Sequence, residues 1–270
     1  YAASLLGQCT GNYAHWLAET LPKLVILDQY EQFSDAPLLV DAWIHPVFFH
    51  SINLLGRYKR KIIKVERWEK VGVDRLLDIT PSSYVPPEYR SFLETGELPV
   101  TDSDTFPFSQ IALSKLRRAA LEKVSPIKKE LGGKRLYLRR SDNECGNARH
   151  IVNTQEMEDV ILSYDFEIVE PGKMAFEDQI KKFSQAELIV SPVGAALANL
   201  IFTPPGCKVI ALSPYYEKAN YYYFSNLMGI LGHELFYVLG AQVSEQGYPM
   251  HRSYKANLVA LEKALKEYCS

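Results

Sequence analysis

Apolar and polar positions alternate along the second half of the chain in a way that predicts strands separated by helices. Apolar runs such as 188–190 and 208–212 are too short for helices and are flanked by turn residues. Between the runs, apolar residues recur every three or four positions, as on one face of a helix. The predicted strands are 135–139, 166–169, 188–190, 208–212 and 235–238, and the predicted helices are 154–163, 175–184, 219–231 and 255–268. This alternation is typical of a doubly wound parallel sheet.

The first half of the chain repeats the alternation less regularly. Its predicted strands are 37–43, 61–65 and 71–79, and its predicted helices are 12–30, 48–55 and 111–124. Pro22 lies inside the first of these helices and predicts a kink or a split, because proline has no N–H for the helical ladder. The prolines between residues 81 and 107 predict a long irregular connection. The whole pattern indicates the α/β class.

A length of 270 residues allows two domains. We predict a first α/β domain over 1–125, a second, Rossmann-like domain over 126–253, and a C-terminal helix over 254–270 that packs back on the first domain. The chain starts at Tyr1, already in apolar sequence and without Met, so we expect that it lacks its natural beginning.

Composition and charge exclude several classes of protein. The net charge of −2 gives no general attraction to nucleic acid. The four cysteines are far apart in sequence, which argues against a zinc site and against a disulfide scaffold. No run of 18 apolar residues, no secretory signal and no N-glycosylation sequon occurs, so we expect a cytoplasmic protein of bacterial origin.

The basic run 57–75 is either a solvated face or a surface that meets an acidic glycan or the inner face of a membrane. Any contact with a membrane is therefore expected to be peripheral. The tyrosines between 215 and 223 are similarly open to two interpretations: they cover the sheet, or they stack on a sugar or a base. The oligomeric state is left open.

The stretch 187–206 carries the clearest sign of chemistry. It reads as a strand, a break at Ser191-Pro192, a turn through Gly194, Ala195 and Ala196, and an apolar helix that ends before Gly206. Such a loop places free backbone N–H groups and a helix N-terminus at the carboxyl edge of a sheet, where phosphates bind. Small residues let a ligand approach the backbone. The alternative is that they only allow the helix to pack closely on the strand.

Several motifs together resemble the family-61 glycosyltransferases. The order LYLRR (136–140), Arg149, Asn153 and then 177–206 looks like the carboxyl domain of that family, and NYAHWLAETLP (12–22) looks like its amino-terminal motif. The resemblance implies a GT-B-like fold, in which two Rossmann-like domains with parallel sheets face a cleft. It implies transfer of a sugar, with inversion, from a nucleotide sugar to a polysaccharide or glycoconjugate acceptor, without a metal ion or cofactor.

The resemblance also assigns the residues that bind the sugar donor. Arg140 and Arg149 hold the diphosphate, since a guanidinium makes paired charge-assisted hydrogen bonds. Glu177 either binds a sugar or ribose hydroxyl or only satisfies a helix N-terminus. The remaining predicted donor-binding residues are Gln179, Val193, Gly194, Ala195 and Ala196.

Three residues are candidates for the base that takes the proton of the acceptor hydroxyl. His15 is the first, because an imidazole can take a proton near neutral pH. Glu19 lies one helical turn further on and either orients His15 or acts as the base itself. Asp41 follows a buried strand at its carboxyl end, where functional residues collect.

Two departures from the family pattern keep other functions open. Val193 stands where the family commonly has a histidine, and Arg139-Arg140 stands where it usually has Ser-Arg. The alternatives are a sugar-nucleotide epimerase of GT-B-like fold and a non-catalytic relative that binds a nucleotide or a glycan.

Overall fold

The computed structural model describes residues 1–85, 102–124, 133–140, 149–245 and 248–269. Most of the proline-rich connection, and the segment between Arg140 and Arg149, lie outside these residues. The predicted class is confirmed: the described elements form an α/β structure with two sheets, in which all pairings are parallel except the one between the last two strands.

The first sheet has the strand order β3-β2-β1-β4. Its strands are β1 (Ala2–Ser4), β2 (Leu38–Asp41), β3 (Ile62–Val65) and β4 (Leu76–Leu77). The predicted strand 71–79 is reduced to the two residues of β4, and β1 was not predicted because three residues are too few to show a pattern. The order reverses between β1 and β4, so the carboxyl end of β1 opens into a crevice.

The second sheet has the order β10-β9-β8-β7-β5-β6. Its strands are β5 (Lys134–Leu138), β6 (Glu167–Val169), β7 (Ala186–Pro192), β8 (Lys208–Tyr215), β9 (Glu234–Gln242) and β10 (Tyr254–Lys255). The chain goes from β5 to one side for β6 and to the other side for β7. Ligands of open α/β sheets bind at such a switch point, outside the carboxyl ends of the strands.

The first helical segment is split where Pro22 predicted a break. Helix α1 (Tyr13–His15) passes through a π-helical turn (Trp16–Thr20) into α2 (Leu21–Leu27). Asn12 caps α1, because its Oδ1 accepts a hydrogen bond from the N–H of Ala14 at 2.9 Å. Pro22 falls in the first turn of α2, where its missing N–H costs nothing.

The other helices lie close to their predicted positions. They are α3 (Pro46–Leu55), α4 (Gln110–Val124), α5 (Thr154–Leu162), α6 (Phe176–Phe183), α7 (Tyr222–Leu231) and α8 (Leu258–Cys269). The segment after the Gly-Ala turn is a 3-10 helix, Ala195–Phe202.

One hydrophobic core joins the two sheets. It includes Leu38 of the first sheet and Ile189 of the second. Helix α4 lies between the halves: it packs against α2 and α3 on one side and against α6 and the 3-10 helix on the other. Its Leu113 and Leu116 are fully buried there.

The prediction that the C-terminal helix packs back on the first domain is wrong. Helix α8 packs on α5 and on strands β8 and β9 of the second sheet. Leu261 and Leu265 fill a second apolar cluster with Leu188 and Ile210, on the face of the sheet that lies away from the shared core. Tyr254 and Lys255, predicted to belong to this helix segment, form β10 instead. The helix therefore covers a sheet face that would otherwise be exposed.

Candidate active site

Two arginines follow β5, and the structure separates their roles. Arg139 makes a two-pronged ion pair with Glu158 on α5, with Nε and Nη2 at 2.8 and 2.6 Å from its carboxylate oxygens. Successive side chains of an extended chain point to opposite sides. Arg140 accordingly lies on the other side, where its charge acts on Arg149 and His251. The sequence predicted that only one of the two would reach the cleft, and the resemblance to the family motif favoured Arg140.

Arg149 is a half-buried cation at the switch point of the second sheet. Its Nη1 donates to the carbonyl oxygen of Val193 at 2.9 Å, while its Nε is buried and has no hydrogen-bond partner among the described residues. Burial and then the positive charge of Arg140 lower the pKa of Arg149 to about 10. Two cations that act on each other in this way favour an anion between or beside them.

The loop 193–196 lies against Arg149. The N–H of Val193 donates to the carbonyl oxygen of Leu212 at 2.8 Å, which fixes the loop to β8. Gly194 is extended and precedes the 3-10 helix, whose first N–H groups have no partner within the helix. A Cβ on Gly194 would meet only one atom, the carbonyl oxygen of Pro192 at 4.0 Å. The space beside Gly194 is therefore open to a ligand, and Ala195 and Ala196 border it.

His251 belongs to the same basic cluster and was missed from the sequence. Its Nδ1 is buried without a partner in the described part of the chain, and its ring lies 5.1 Å from the ring of Tyr248. Burial, then Arg149 and Arg140, lower the pKa of His251 to about 4. A single histidine in a turn carries no pattern, so only the folded chain could reveal it.

His15 and Glu19 form a second group at the crevice of the first sheet. His15 Nδ1 lies 2.5 Å from Glu19 Oε1, one turn along the helical segment. Burial lowers the pKa of His15, but hydrogen bonds to Cys9 and Glu19 outweigh it, and the pKa rises to about 9. The structure thus confirms that these two residues share one face and adds Cys9 as a third member.

Tyr223 of α7 brings the second half of the chain to His15. The two rings lie 5.7 Å apart, and the buried Tyr223 hydroxyl has no partner among the described residues. Burial, then the charges of Glu19 and Cys9, raise the pKa of Tyr223. Tyr216, at the other end of the same connection after β8, acts on Arg149. The catalytic and donor-binding groups predicted from the sequence therefore flank one connection, 216–223.

The remaining predicted residues lie elsewhere in the structure. Asp41 ends β2 and accepts a hydrogen bond from the Thr10 hydroxyl at 2.5 Å, so it holds the loop that carries Cys9. Glu177 pairs with His50, whose Nε2 lies 2.8 Å from both carboxylate oxygens. Burial alone would raise the pKa of the Glu177 carboxyl. Its own backbone N–H, His50 and Lys181 outweigh this effect, so the pKa is lowered.

Gln179 requires a correction, because it is buried between the two halves with 4% of its surface exposed. Its Oε1 lies 2.9 Å from the Tyr13 hydroxyl and accepts from Asn199 Nδ2 at 3.0 Å, while its Nε2 donates to the carbonyl oxygen of Met174. All its polar atoms are used, so its role is to join the halves rather than to contact a sugar donor.

The sequence contains an Asp-x-Asp triplet, Asp102-Ser103-Asp104, although the prediction of a metal-free site took that motif to be absent. Asp102 Oδ1 accepts hydrogen bonds from the Thr105 hydroxyl at 2.8 Å and from the N–H of Asp104 at 3.0 Å. This carboxylate closes a turn. No group of three or more His, Cys, Asp or Glu side chains suited to a metal ion occurs in the described residues.

The fold and the two groups define a parallel α/β protein with a half-buried basic cluster at one switch point and a His–Glu pair beside the other. The family model for Glycosyltransferase 61 matches residues 13–210, and the chain belongs to that family of glycosyltransferases. The matched range includes the His15 pair and the loop 193–196 but ends before His251. No curated protein matches the chain. None of the helices in the described ranges is long and apolar enough to cross a membrane.

Proposed function

We propose that this glycosyltransferase binds a nucleotide sugar at the basic cluster and transfers the sugar, with inversion, to a hydroxyl of a polysaccharide or glycoconjugate. The observation that carries the proposal is Arg149, whose buried Nε is unpartnered among the described residues, whose Nη1 donates to Val193 of the loop 193–196, and whose pKa the charge of Arg140 lowers. Cations and free N–H groups at the carboxyl edge of a parallel sheet suit a diphosphate.

In the proposed reaction the acceptor oxygen attacks the anomeric carbon as its proton passes to His15. The bond from that carbon to the diphosphate breaks, and its electron pair leaves with the diphosphate. Glu19 keeps His15 oriented through the hydrogen bond to Nδ1. A single displacement of this kind inverts the anomeric carbon. Arg140 and Arg149 stabilise the charge that develops on the leaving group.

The direct test measures, by thermal shift, how nucleoside diphosphates bind to the wild-type protein and to the Arg149→Ala variant. A ligand that binds only the folded state raises the melting temperature. We expect a shift for at least one nucleoside diphosphate and a much smaller shift for the variant. Arg118→Ala, which removes an exposed guanidinium from α4, is the matched control. Equal shifts for all three proteins would contradict the proposed site.

We also propose that the transfer needs no metal ion, and this part of the proposal has its own test. Sugar transfer, or slow hydrolysis of the nucleotide sugar without acceptor, should persist in EDTA at the rate seen with Mg²⁺ or Mn²⁺. The double variant Asp102→Asn/Asp104→Asn should keep that rate, because the Asp102 carboxylate is used by its own turn. Loss of turnover in EDTA that Mn²⁺ restores would refute metal independence.

Val193 occupies the position where the family commonly has a histidine. This difference favours a second candidate function, a non-catalytic relative that binds the nucleotide sugar. Such a protein would bind the ligand and show no turnover with any acceptor. An epimerase would instead convert one nucleotide sugar into another without an acceptor. Product analysis of a reaction without acceptor separates the three: hydrolysis, no change, or a new nucleotide sugar.

A further inference from the structure

We propose that His251 completes the phosphate site and takes up a proton when the sugar donor binds, so that the leaving group departs against three cations rather than two. The inference rests on the proposed function, because it assigns His251 to the same diphosphate. It adds a residue outside the range that matches the family model.

The first step is the pair of buried nitrogen atoms that lack partners. Arg149 Nε and His251 Nδ1 are both buried with no hydrogen bond to any described residue. A buried polar atom without a partner destabilises the folded protein, and native proteins carry few of them. Two such atoms in one basic cluster indicate a ligand with several acceptor oxygen atoms, and a phosphate group has that chemistry.

The second step is that the backbone fixes these two residues near one another. The N–H of Tyr254 donates to the carbonyl oxygen of His150 at 2.9 Å, and the N–H of Val152 donates to the carbonyl oxygen of Tyr254, also at 2.9 Å. The segments that follow Arg149 and His251 are thereby joined as a parallel bridge. Gln242 Nε2 donates to the carbonyl oxygen of Pro249 at 2.5 Å, which holds the turn before His251.

The third step is the set of charges that face His251. Arg149 and Arg140 act on it directly, and Tyr248 lies against its ring. Tyr254, on the neighbouring strand, faces the same two arginines. No carboxylate of the described residues is among these groups, and the ring is neutral at pH 7 because its pKa is about 4. A bound diphosphate reverses the local field and supplies an oxygen for Nδ1–H, so the protonated ring becomes favourable.

The fourth step is the charge balance of the transfer. The diphosphate of a nucleotide sugar carries two negative charges, and the fully ionised nucleoside diphosphate that leaves carries three. Two arginines balance the bound donor. The proton on His251 balances the additional charge that appears as the sugar–oxygen bond breaks, which is where stabilisation lowers the barrier.

The test is the pKa of His251 measured by NMR on histidine-labelled protein, free and saturated with UDP-glucose or GDP-mannose. These probes are suitable because their phosphates do not titrate near neutral pH. The chain has six histidines, and the His251→Asn variant assigns the relevant signal. We expect a pKa near 4 in the free protein, as its surroundings dictate, and a pKa above 6 in the complex.

The same change is visible in affinity. A group whose pKa is higher in the complex strengthens binding as the pH falls, by up to about tenfold in Kd per pH unit between its two pKa values. We expect this slope between pH 6 and 4.5 for the wild type and for His45→Asn, an exposed control. We expect a nearly flat profile for His251→Asn.

The outcomes separate the two proposals. If no sugar nucleotide binds the wild type at any pH, the proposed function fails. If a sugar nucleotide binds but the pKa of His251 stays near 4, or His251→Asn keeps the wild-type slope, the role of His251 is refuted while the donor site stands. A raised pKa in the complex together with the flat profile of His251→Asn supports the inference.

Discussion

In the proposed function, Arg149 serves ligand binding at the expense of stability. A guanidinium that is largely withdrawn from water near a second cation destabilises the folded protein when no anion is bound. In the proposed function, the same positive charge attracts the diphosphate of the donor. Binding and stability should therefore change in opposite directions when the charge is removed.

We expect Arg149→Met to raise the melting temperature of the free protein and to weaken binding of the nucleoside diphosphate by roughly 10- to 100-fold. The loss corresponds to charge-assisted hydrogen bonds of about 1.5–3 kcal/mol. Calorimetry of unfolding and of binding checks both effects. A variant that is both less stable and unchanged in affinity would show that Arg149 is a structural residue.

The pH dependence of turnover should follow His15. Its pKa of about 9 lies above the ordinary 6.5, so the imidazole holds a proton at neutral pH and becomes a base only as the pH rises. We expect kcat/KM to increase up to about pH 9. Glu19→Gln removes a carboxylate that raises this pKa, so the rise should move to lower pH.

Stability gives the matching control for this prediction. A raised folded-state pKa contributes stability that is fully present below about pH 6.5 and is lost as the pH rises through 9. The free energy of unfolding of the wild type should fall over that window, and the fall should be smaller in Glu19→Gln. Identical pH profiles for the two proteins would contradict the assignment of His15.

Some site residues could be predicted from the sequence, and others could not, for a physical reason. The loop 193–196 and Arg140 follow strands directly, so the strand pattern alone places them at the carboxyl edge of the sheet. Cys9, Tyr223 and His251 reach the site through contacts between segments far apart in sequence. Local pattern contains no information on such contacts.

At the scale of elements, the short strand β10 depends on a glycine of its neighbour. A Cβ on Gly240 of β9 would lie 2.2 Å from the carbonyl oxygen of Lys255 and 2.7 Å from a ring atom of Tyr254. Side chains do not fit at such distances, so β9 and β10 can approach only because residue 240 has none. The approach also sets the position of the segment that carries His251.

We expect Gly240→Ala to destabilise the protein by about 1–3 kcal/mol and to weaken binding of a nucleoside diphosphate, because β10 must move away. Gly229→Ala in α7 is the control: no atom lies within 4 Å of its added Cβ, and alanine stabilises a helix by about 0.5–1 kcal/mol relative to glycine. Denaturant unfolding and binding titrations measure both. If Gly240→Ala is destabilised but binds the nucleoside diphosphate with wild-type affinity, the position of β10 does not affect the binding site.

The elements themselves show where sequence patterns are reliable. The longer strands of the second sheet were predicted because each is an apolar run with a clear start and end. The packing of α8 was not, because an amphipathic helix shows which face is buried but not which surface it meets. Its partner is the sheet face formed by residues such as Leu188 and Ile210.

At the scale of the whole molecule, the two halves share apolar and polar contacts. Tyr13 of α1 reaches Gln179 and Asn199 of the second half, and burial raises the pKa of its hydroxyl. Helix α4 contributes Leu113 and Leu116 to a core that both sheets line. The halves should therefore unfold together.

We expect a single unfolding transition, with coincident loss of far-UV and near-UV circular dichroism. Tyr13→Phe should lower the free energy of unfolding by about 1–2 kcal/mol, since Asn199 Oδ1 loses a partner in a buried place. The Tyr13→Phe variant should still unfold in a single transition. Two separated transitions in the wild type would show that the halves are independent.

The position of α4 also limits how parts of this protein can be exchanged with those of relatives. A chimera joined after residue 124 would place the α4 of one parent against the α6 and the 3-10 helix of the other. Its buried leucines would then meet a surface shaped for different side chains. A change of donor specificity is therefore better sought by replacing the loops at the strand ends than by exchanging whole halves.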